Sequence, residues 1–283
     1  MDKFNLHLVS DATGETINAV ARACLVQFDG IEIQEHFWNL IRTQRQLALA
    51  IAGIEQKPGL VLYTFVDESL RSTLETYCTG AKIPFLSILD PVLQQLADFF
   101  HRPFAHQPGK QHALDADYFA RIAAMDYAMA ADDGQGHDHL AEADVILLGV
   151  SRSSKTPTCL YLANRGIKAA NVPLVPGCPL PSGLEALLGN RPADPLIVGL
   201  TKDPHTLVEI RRQRIKMLQG DMAADYVDLE KVEVEVLAAR RLFARLGCPV
   251  IDVTRRSIEE TSAEILTLLT LRRSDTVAPN AAP

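Results

Sequence analysis

Short, nearly unbroken apolar runs recur along this chain, and each is followed by a longer stretch with apolar residues at helical spacing. Phe4 to Val9 is the first such run; behind it Ile17, Val20, Ala21, Ala23, Cys24 and Leu25 return at helical intervals. Glu32 to Leu40 predicts a second strand, and Gln44 to Ile54 a helix closed by Pro58 and Gly59. Leu60 to Phe65 and Glu68 to Cys78 repeat the alternation, as do Pro84 to Ile88 and Pro91 to Phe100. Runs that are apolar at every position suit strands covered on both faces. Strands that alternate with helices imply parallel sheets with right-handed crossovers.

Arg102 to His112 is rich in Pro, His and Gln and reads as a connector. A helix is predicted over Asp115 to Ala131, with Tyr118, Ile122, Met125 and Met129 along one side, broken by Asp132-Asp-Gly-Gln-Gly136. The alternation then resumes. Val145 to Leu148 reads as a buried strand and Cys159 to Ala163 as helix-like. Further strands are predicted at Asn171 to Val175, Leu196 to Leu200 and Val250 to Val253, with helices over His205 to Gln219, Leu229 to Leu246 and Ser257 to Leu271. The expected fold class is therefore α/β, with two similar parallel-sheet units. Residues 1–105 form the N-terminal unit, 106–143 a connector carrying Asp-Asp-Gly, and 144–272 the C-terminal unit. The polar, Pro/Ala-rich residues 273–283 are expected to be a disordered tail.

The strongest candidate for chemistry is Gly149-Val-Ser-Arg-Ser-Ser-Lys-Thr156, between a buried strand and a helix. Its spacing fits the phosphate loop G-x-x-x-x-G-K-[ST], except that Ser154 stands at the second glycine. Such a loop turns backbone N–H groups and a helix N-terminus toward an anion. Gly149, Val150, Ser151, Arg152, Ser153, Ser154, Lys155 and Thr156 are thus candidate nucleotide- and phosphate-binding residues. Gly149 permits close backbone approach, and Ser151, Ser153 and Ser154 offer hydroxyl donors. Lys155 neutralises charge, and Thr156 can hold a divalent metal, with Mg2+ the candidate. Arg152 either points at a transferring phosphate or faces solvent. The bland alternative is a serine-rich turn.

Ser10-Asp-Ala-Thr-Gly-Glu-Thr16 follows the first strand in the same way. Laid over the second loop, Val9-Ser10 matches Val150-Ser151 and Gly14-Glu15 falls on Lys155-Thr156. This copy lacks the lysine, and Asp11 and Glu15 would oppose a polyphosphate. It reads as a degenerate repeat, or else as an N-capped first helix with Asp11 or Thr13 as the cap. Asp132-Asp-Gly134 could bring a base to the loop mouth, but by itself reads as an ordinary turn. Thr201-Lys202-Asp203 follows a strand, where α/β ligand sites sit, and either contacts ligand or caps the next helix. Thr254-Arg-Arg-Ser257 also follows a strand, with Ser257 and Glu260 forming a capping box and the arginines facing phosphate or solvent. The histidines form no metal-like cluster; His137 and His139 read as exposed loop residues, and no metal site is assigned.

Composition narrows the picture. A 283-residue chain with 47% hydrophobic and 22% charged residues is ordinary for a globular protein. A net charge of −7 argues against general affinity for nucleic acid or anionic membranes. Arg211-Arg-Gln-Arg-Ile-Lys216 runs against that average and reads as a solvated helix face. Cys24, Cys78, Cys159, Cys178 and Cys248 are scattered, which suits reduced thiols and a cytoplasmic setting. Asp2 and Lys3 lead straight into a strand pattern rather than a signal peptide, and no apolar run is long enough to span a bilayer.

Gly149 to Thr158, with Tyr161-Leu-Ala-Asn-Arg-Gly-Ile-Lys-Ala-Ala-Asn-Val-Pro-Leu-Val175, resembles the bacterial pyruvate, phosphate dikinase regulatory proteins. So do Ser10 to Thr16, Tyr118 to Ile122, Asp132-Asp-Gly134 and Asp252 to Thr261, so the likeness covers nearly the whole chain except the tail. The resemblance implies a homodimeric enzyme with two similar α/β domains and two opposed activities on the dikinase. One uses ADP to phosphorylate a threonine and inactivate the dikinase; the other removes that phosphate with inorganic phosphate, releasing pyrophosphate. It makes Gly149 to Thr156 the ADP and phosphate site, Lys155 the neutralising lysine and Asp133 the acid/base, against the turn that the residues alone suggest. Some relatives carry a lysine where this chain has Ala130; Arg152 or Lys202 is then a substitute cation, or that lysine is dispensable. A sister group acts on phosphoenolpyruvate synthase. Residues alone also admit a phosphate-loop kinase of a small metabolite or a non-catalytic phosphate sensor.

Overall fold

The computed structural model describes residues 3–104, 116–133, 137–181, 183–188, 194–218 and 224–274. The chain divides into two compact units, residues 1–113 and 114–283. The expected tail from 275 onward, residues 105–115 at the start of the expected connector, and Gly134 lie outside the described residues.

The N-terminal unit runs β1 (Lys3–Ser10), α1 (Glu15–Leu25), β2 (Glu32–Trp38), α2 (Gln44–Gln56), β3 (Leu60–Thr64), α3 (Glu68–Ala81), β4 (Phe85–Ser87) and α4 (Asp90–Phe100). The C-terminal unit runs α5 (Ala116–Ala130), β5 (Val145–Gly149), α6 (Lys155–Ala163), β6 (Ala169–Pro173), β7 (Leu196–Thr201), α7 (Pro204–Leu218), α8 (Leu229–Leu246), β8 (Val250–Asp252) and α9 (Ile258–Ser274). Each unit holds a four-stranded sheet, ordered β2-β1-β3-β4 and β6-β5-β7-β8. All the pairings are parallel. The two units thus repeat one topology, as the α/β reading expects. Among the described residues no helix is long and apolar enough to cross a membrane.

The unbroken apolar run of β5 follows from burial on both faces. Val145 and Leu147 pack with Cys159 and Leu162 of α6 and with Ile265 of α9. Ile146 and Leu148 turn to the other face, toward Leu207 of α7 and Val232, Val236 and Phe243 of α8. Alternate residues of a strand point to opposite faces, so a strand covered on both needs an apolar side chain at each position. Ala124 and Ala128 of α5 complete the first of these clusters.

Local chemistry starts several helices where expected. Asp67 accepts from the Leu70 N–H (2.9 Å) at the head of α3, and Asp228 from the Lys231 N–H (3.0 Å) at the head of α8. At α9 the capping box is complete: Ser257 N donates to Glu260 Oε2 (2.8 Å) and Glu260 N to Ser257 Oγ (3.1 Å). β6 lies two residues earlier than predicted, because Ala169 and Ala170 are small residues that the apolar pattern understates, yet both are fully buried.

The repeat aligns one residue away from the expected register. Gly14 precedes α1 with φ +81°, and Ser154 precedes α6 with φ +66°. These two left-handed residues correspond, so Glu15 falls on Lys155. The N-terminal loop therefore reverses the charge at the lysine position rather than only lacking it. Asp11 does not cap α1. Its carboxylate is buried and accepts from the N–H groups of Val66 (2.7 Å) and Asp67 (3.3 Å), after β3. Burial pushes this carboxyl up, while the two N–H donors pull it back down. An internal anion thus occupies these N–H donors beside the β1 loop.

Candidate active site at the end of the second sheet

In the order β6-β5-β7-β8 the chain leaves β5 toward β6 and returns to β7 on the other side. The carboxyl ends of β5 and β7 therefore border a topological switch point, where open α/β sheets place ligands. A cleft of about 380 Å³ opens there. Its lining includes Ser151, Arg152, Ser154, Lys155 and Thr156 from the loop, Asp133, Asn171 beside it, and Lys202 past β7.

The loop is built by close contacts. A Cβ on Gly149 would lie 2.5 Å from Ser153 Oγ and 2.8 Å from the Leu200 carbonyl oxygen, so this position has no room for a side chain. Arg152 and Ser154 both take left-handed backbone, with φ +70° and +66°. The left-handed turn at Ser154 explains why the motif has glycine there; serine bears the steric cost of that conformation.

Not every loop hydroxyl faces the cleft. Ser153 is fully buried and donates to the Val150 carbonyl (2.9 Å), so it closes the turn instead of meeting a ligand. Ser151 Oγ shares a hydrogen bond with Tyr226 OH (2.9 Å). Ser154 Oγ accepts from Lys202 Nζ (3.4 Å). Arg152 is exposed at the cleft wall. Gly149 and Val150 support the loop from beneath, and neither lines this cleft.

Lys155 is 5% exposed and donates to the Val150 carbonyl (3.0 Å). Burial pushes its ammonium down to about 8, against the opposing pull of Asp133, Cys159 and Asp132. Below pH about 8 the lysine carries its charge; as pH rises through that value the free protein loses it. A phosphate bound beside it would restore that charge by favouring the protonated form. Anion affinity is therefore expected to fall above pH about 8, with proton uptake on binding near pH 9. Titration calorimetry of ADP in two buffers of different ionisation enthalpy measures that uptake, and an affinity flat from pH 7 to 9.5 contradicts it.

On the β6 side, oxygen atoms converge on Asn171. Its Nδ2 lies 2.6 Å from Asp132 Oδ1, 3.0 Å from Thr156 Oγ1 and 3.4 Å from Asp133 Oδ1. Thr156 Oγ1 also donates to Asp132 Oδ1 (2.9 Å). Asp132 is thus held by two short bonds. Asp133 keeps one long contact among the described residues, is exposed, and sits at φ +48°. Asn171 is itself buried, and among the described residues its Oδ1 has no partner. Nothing in the motif spacing singles out Asn171; its signal is a polar residue inside a strand covered on both faces.

The segment after β7 divides its two expected roles between neighbours. Lys202 enters the cleft at 7% exposure, while Asp203 accepts from the Thr206 N–H (2.9 Å) and caps α7. The basic run of α7 is split as well. Arg212, Arg214 and Lys216 are exposed, as a solvated face requires, but Arg211 is fully buried. It pairs with Glu235 (2.7 Å) and donates to the carbonyls of Ser151 (3.2 Å) and Tyr226 (3.1 Å). Its guanidinium also stacks on the Tyr226 ring at 4.6 Å. Arg211 therefore ties the loop to α8, and the solvated reading is corrected at this residue.

Residues 6–266 match the family model described as kinase/pyrophosphorylase. Three relatives carry the name pyruvate, phosphate dikinase regulatory protein. That of Paramagnetospirillum magneticum is 56% identical, over 95% of this chain and 85% of its own length. That of Rhodospirillum rubrum is 49% identical over 94% and 95%. That of Caulobacter vibrioides is 51% identical over 94% and 83%. With a match of this extent falling on both sheets and on every residue of the cleft, the chain belongs to the kinase/pyrophosphorylase family.

Proposed function

We propose that this chain regulates pyruvate, phosphate dikinase in both directions. It phosphorylates a threonine of the dikinase with ADP, and it removes that phosphate with inorganic phosphate, forming pyrophosphate. The observation that carries this reading is the placing of Lys155 and Asp133 on one cleft, at the switch point of the second sheet. Phosphoryl transfer needs charge neutralised on the phosphoryl oxygens and a group that moves the hydroxyl proton. Lys155 meets the first need. Asp133 meets the second: its carboxylate takes the threonine proton in the kinase direction and returns one to the threonine oxygen in reverse. Asp132, tied to Thr156 and Asn171, positions the network.

The oxygen donors of Thr156 and Asp132 suit a hard divalent cation such as Mg2+, which when bound would add neutralising charge. The relatives' names favour the dikinase over phosphoenolpyruvate synthase as target. A homodimer belongs to the same reading on the strength of the resemblance, and a cytoplasmic setting on that of the scattered cysteines. The test mixes the purified chain with histidine-phosphorylated dikinase and ADP labelled in the β-phosphate. Labelled phosphothreonine and AMP are expected; with unlabelled phosphate added afterwards, the label is expected in pyrophosphate. Transfer to a small metabolite, or no transfer, overturns the reading.

A further inference from the structure

We propose that Lys202 is the second cation of a phosphoanhydride site, and that it holds the phosphate lying across the transferring phosphoryl group from the threonine. This rests on the function just proposed and adds to it a binding subsite shared by the two reactions.

Two buried lysines line the same cleft. A buried ammonium is costly unless an anion compensates it. Yet no carboxylate among the described residues forms an ion pair with Lys155 or Lys202. Each has a neutral oxygen partner instead: the Val150 carbonyl for Lys155 and the Ser154 hydroxyl for Lys202. Asp252 acts on Lys202 only as a nearby charge, against a burial that pushes the ammonium down. Asp133 and Asp132 likewise act on Lys155 only from outside ion-pair contact, and two buried cations without a contacting carboxylate on one cleft suit a ligand with two linked anionic groups.

The sheet gives the cleft a direction. β5 lies between β6 and β7. On the β6 side stand Asn171, Asp132 and Asp133, which suit a hydroxyl and its proton. On the β7 side stands Lys202, which suits an anion. Lys155, at the head of α6 behind β5, lies between them in this order. In-line displacement puts the attacking and leaving oxygens on opposite sides of phosphorus. With the threonine on the Asp133 side, the other group falls on the Lys202 side.

That group is a phosphate in both reactions. In the kinase direction the bond from the β-phosphorus of ADP to the bridging oxygen breaks as the bond to the threonine oxygen forms. The threonine proton passes to Asp133, and AMP departs with its phosphate on Lys202. In the reverse sense an oxygen of inorganic phosphate, held by Lys202, attacks the phosphothreonine phosphorus. The bond to the threonine oxygen breaks, Asp133, protonated from solvent before the step, gives that oxygen its proton and is left as the carboxylate, and pyrophosphate spans the two lysines. One subsite thus serves the α-phosphate of the nucleotide and inorganic phosphate alike.

Calorimetry with pyrophosphate and with ADP, on the full chain, tests this without the protein substrate. Lys202→Met is expected to weaken pyrophosphate roughly 10- to 150-fold, the range for a lost hydrogen bond between charged groups. Lys202→Gln, which retains a polar partner for Ser154, should lose as much, and Lys202→Arg should keep most of the affinity. In turnover, the KM for inorganic phosphate should rise while that for phosphorylated dikinase stays put, a split that a merely structural lysine would not give. If the wild type binds neither pyrophosphate nor ADP, the proposed function falls and takes this subsite with it. If the wild type binds both, and folded Lys202→Met or Lys202→Gln binds pyrophosphate equally well, Lys202 alone is wrongly assigned.

Discussion

Lys155→Met is expected to abolish most of both activities while leaving the protein folded. The expected loss is about 10²–10³ in rate for each direction, the cost typical of removing one preorganised electrostatic contact. Both proposed directions should fall, because each would spread charge over phosphoryl oxygens beside the same lysine. Methionine fills much of the space of the lysine stem, so no large cavity opens. The substitution also removes a buried ammonium whose hydrogen bond is to a neutral carbonyl. Replacing a buried, unpaired charge by an apolar group of similar size does not destabilise a fold. The melting temperature should therefore hold or rise as activity collapses. Phosphothreonine formation and pyrophosphate release, measured with the thermal melt, separate the possibilities. A folded variant that keeps one activity near the wild-type level would falsify a common site.

Asp133→Asn should be comparably severe, by about 10²–10⁴ if the carboxylate moves the threonine proton. Asparagine keeps the shape and the contact from Asn171 but cannot accept the proton. The neighbouring pair is a built-in comparison. Asp132 spends an oxygen on Thr156 and Asn171 at 2.9 and 2.6 Å. Asp133 lines the cleft with one contact among the described residues, at 3.4 Å. A base must have a lone pair to offer the substrate, and Asp133 is the freer of the two. Asp132→Asn still presents an oxygen to Thr156 and should be the milder change. ADP affinity should persist in Asp133→Asn, because the loop is intact and a nearby negative charge is gone. An inactive Asp132→Asn beside an active Asp133→Asn would reverse the assignment.

Much of the fold was legible because the signals that set it are local. An apolar run such as Val145 to Leu148 marks a strand buried on both faces wherever it occurs, and Ser257 with Glu260 marks a helix start within four residues. The failures share a cause. Arg211 looked solvated because it sits in a basic run, yet it lies three and four residues after the buried Val208 and Leu207. That places it on the inward face of α7; its partner Glu235 comes from a different helix, which no local pattern indicates. Residue types alone set the repeat one position away from its register in the fold. The structure aligns it by backbone, with the left-handed residue before each helix as the fixed point.

The sequence by itself determined the alternation of elements, the repeat of two α/β units and the loop from Gly149 to Thr156, since each depends on neighbours within a turn or a strand. Only the tertiary structure decided what that loop faces. Asp133, Lys155, Asn171 and Lys202 are scattered over some seventy positions and stand on different segments, so their spacing along the chain carries no trace of their meeting. They converge because parallel strands all end at the same edge of the sheet, and the reversal of strand order between β5 and β7 leaves an opening at that edge.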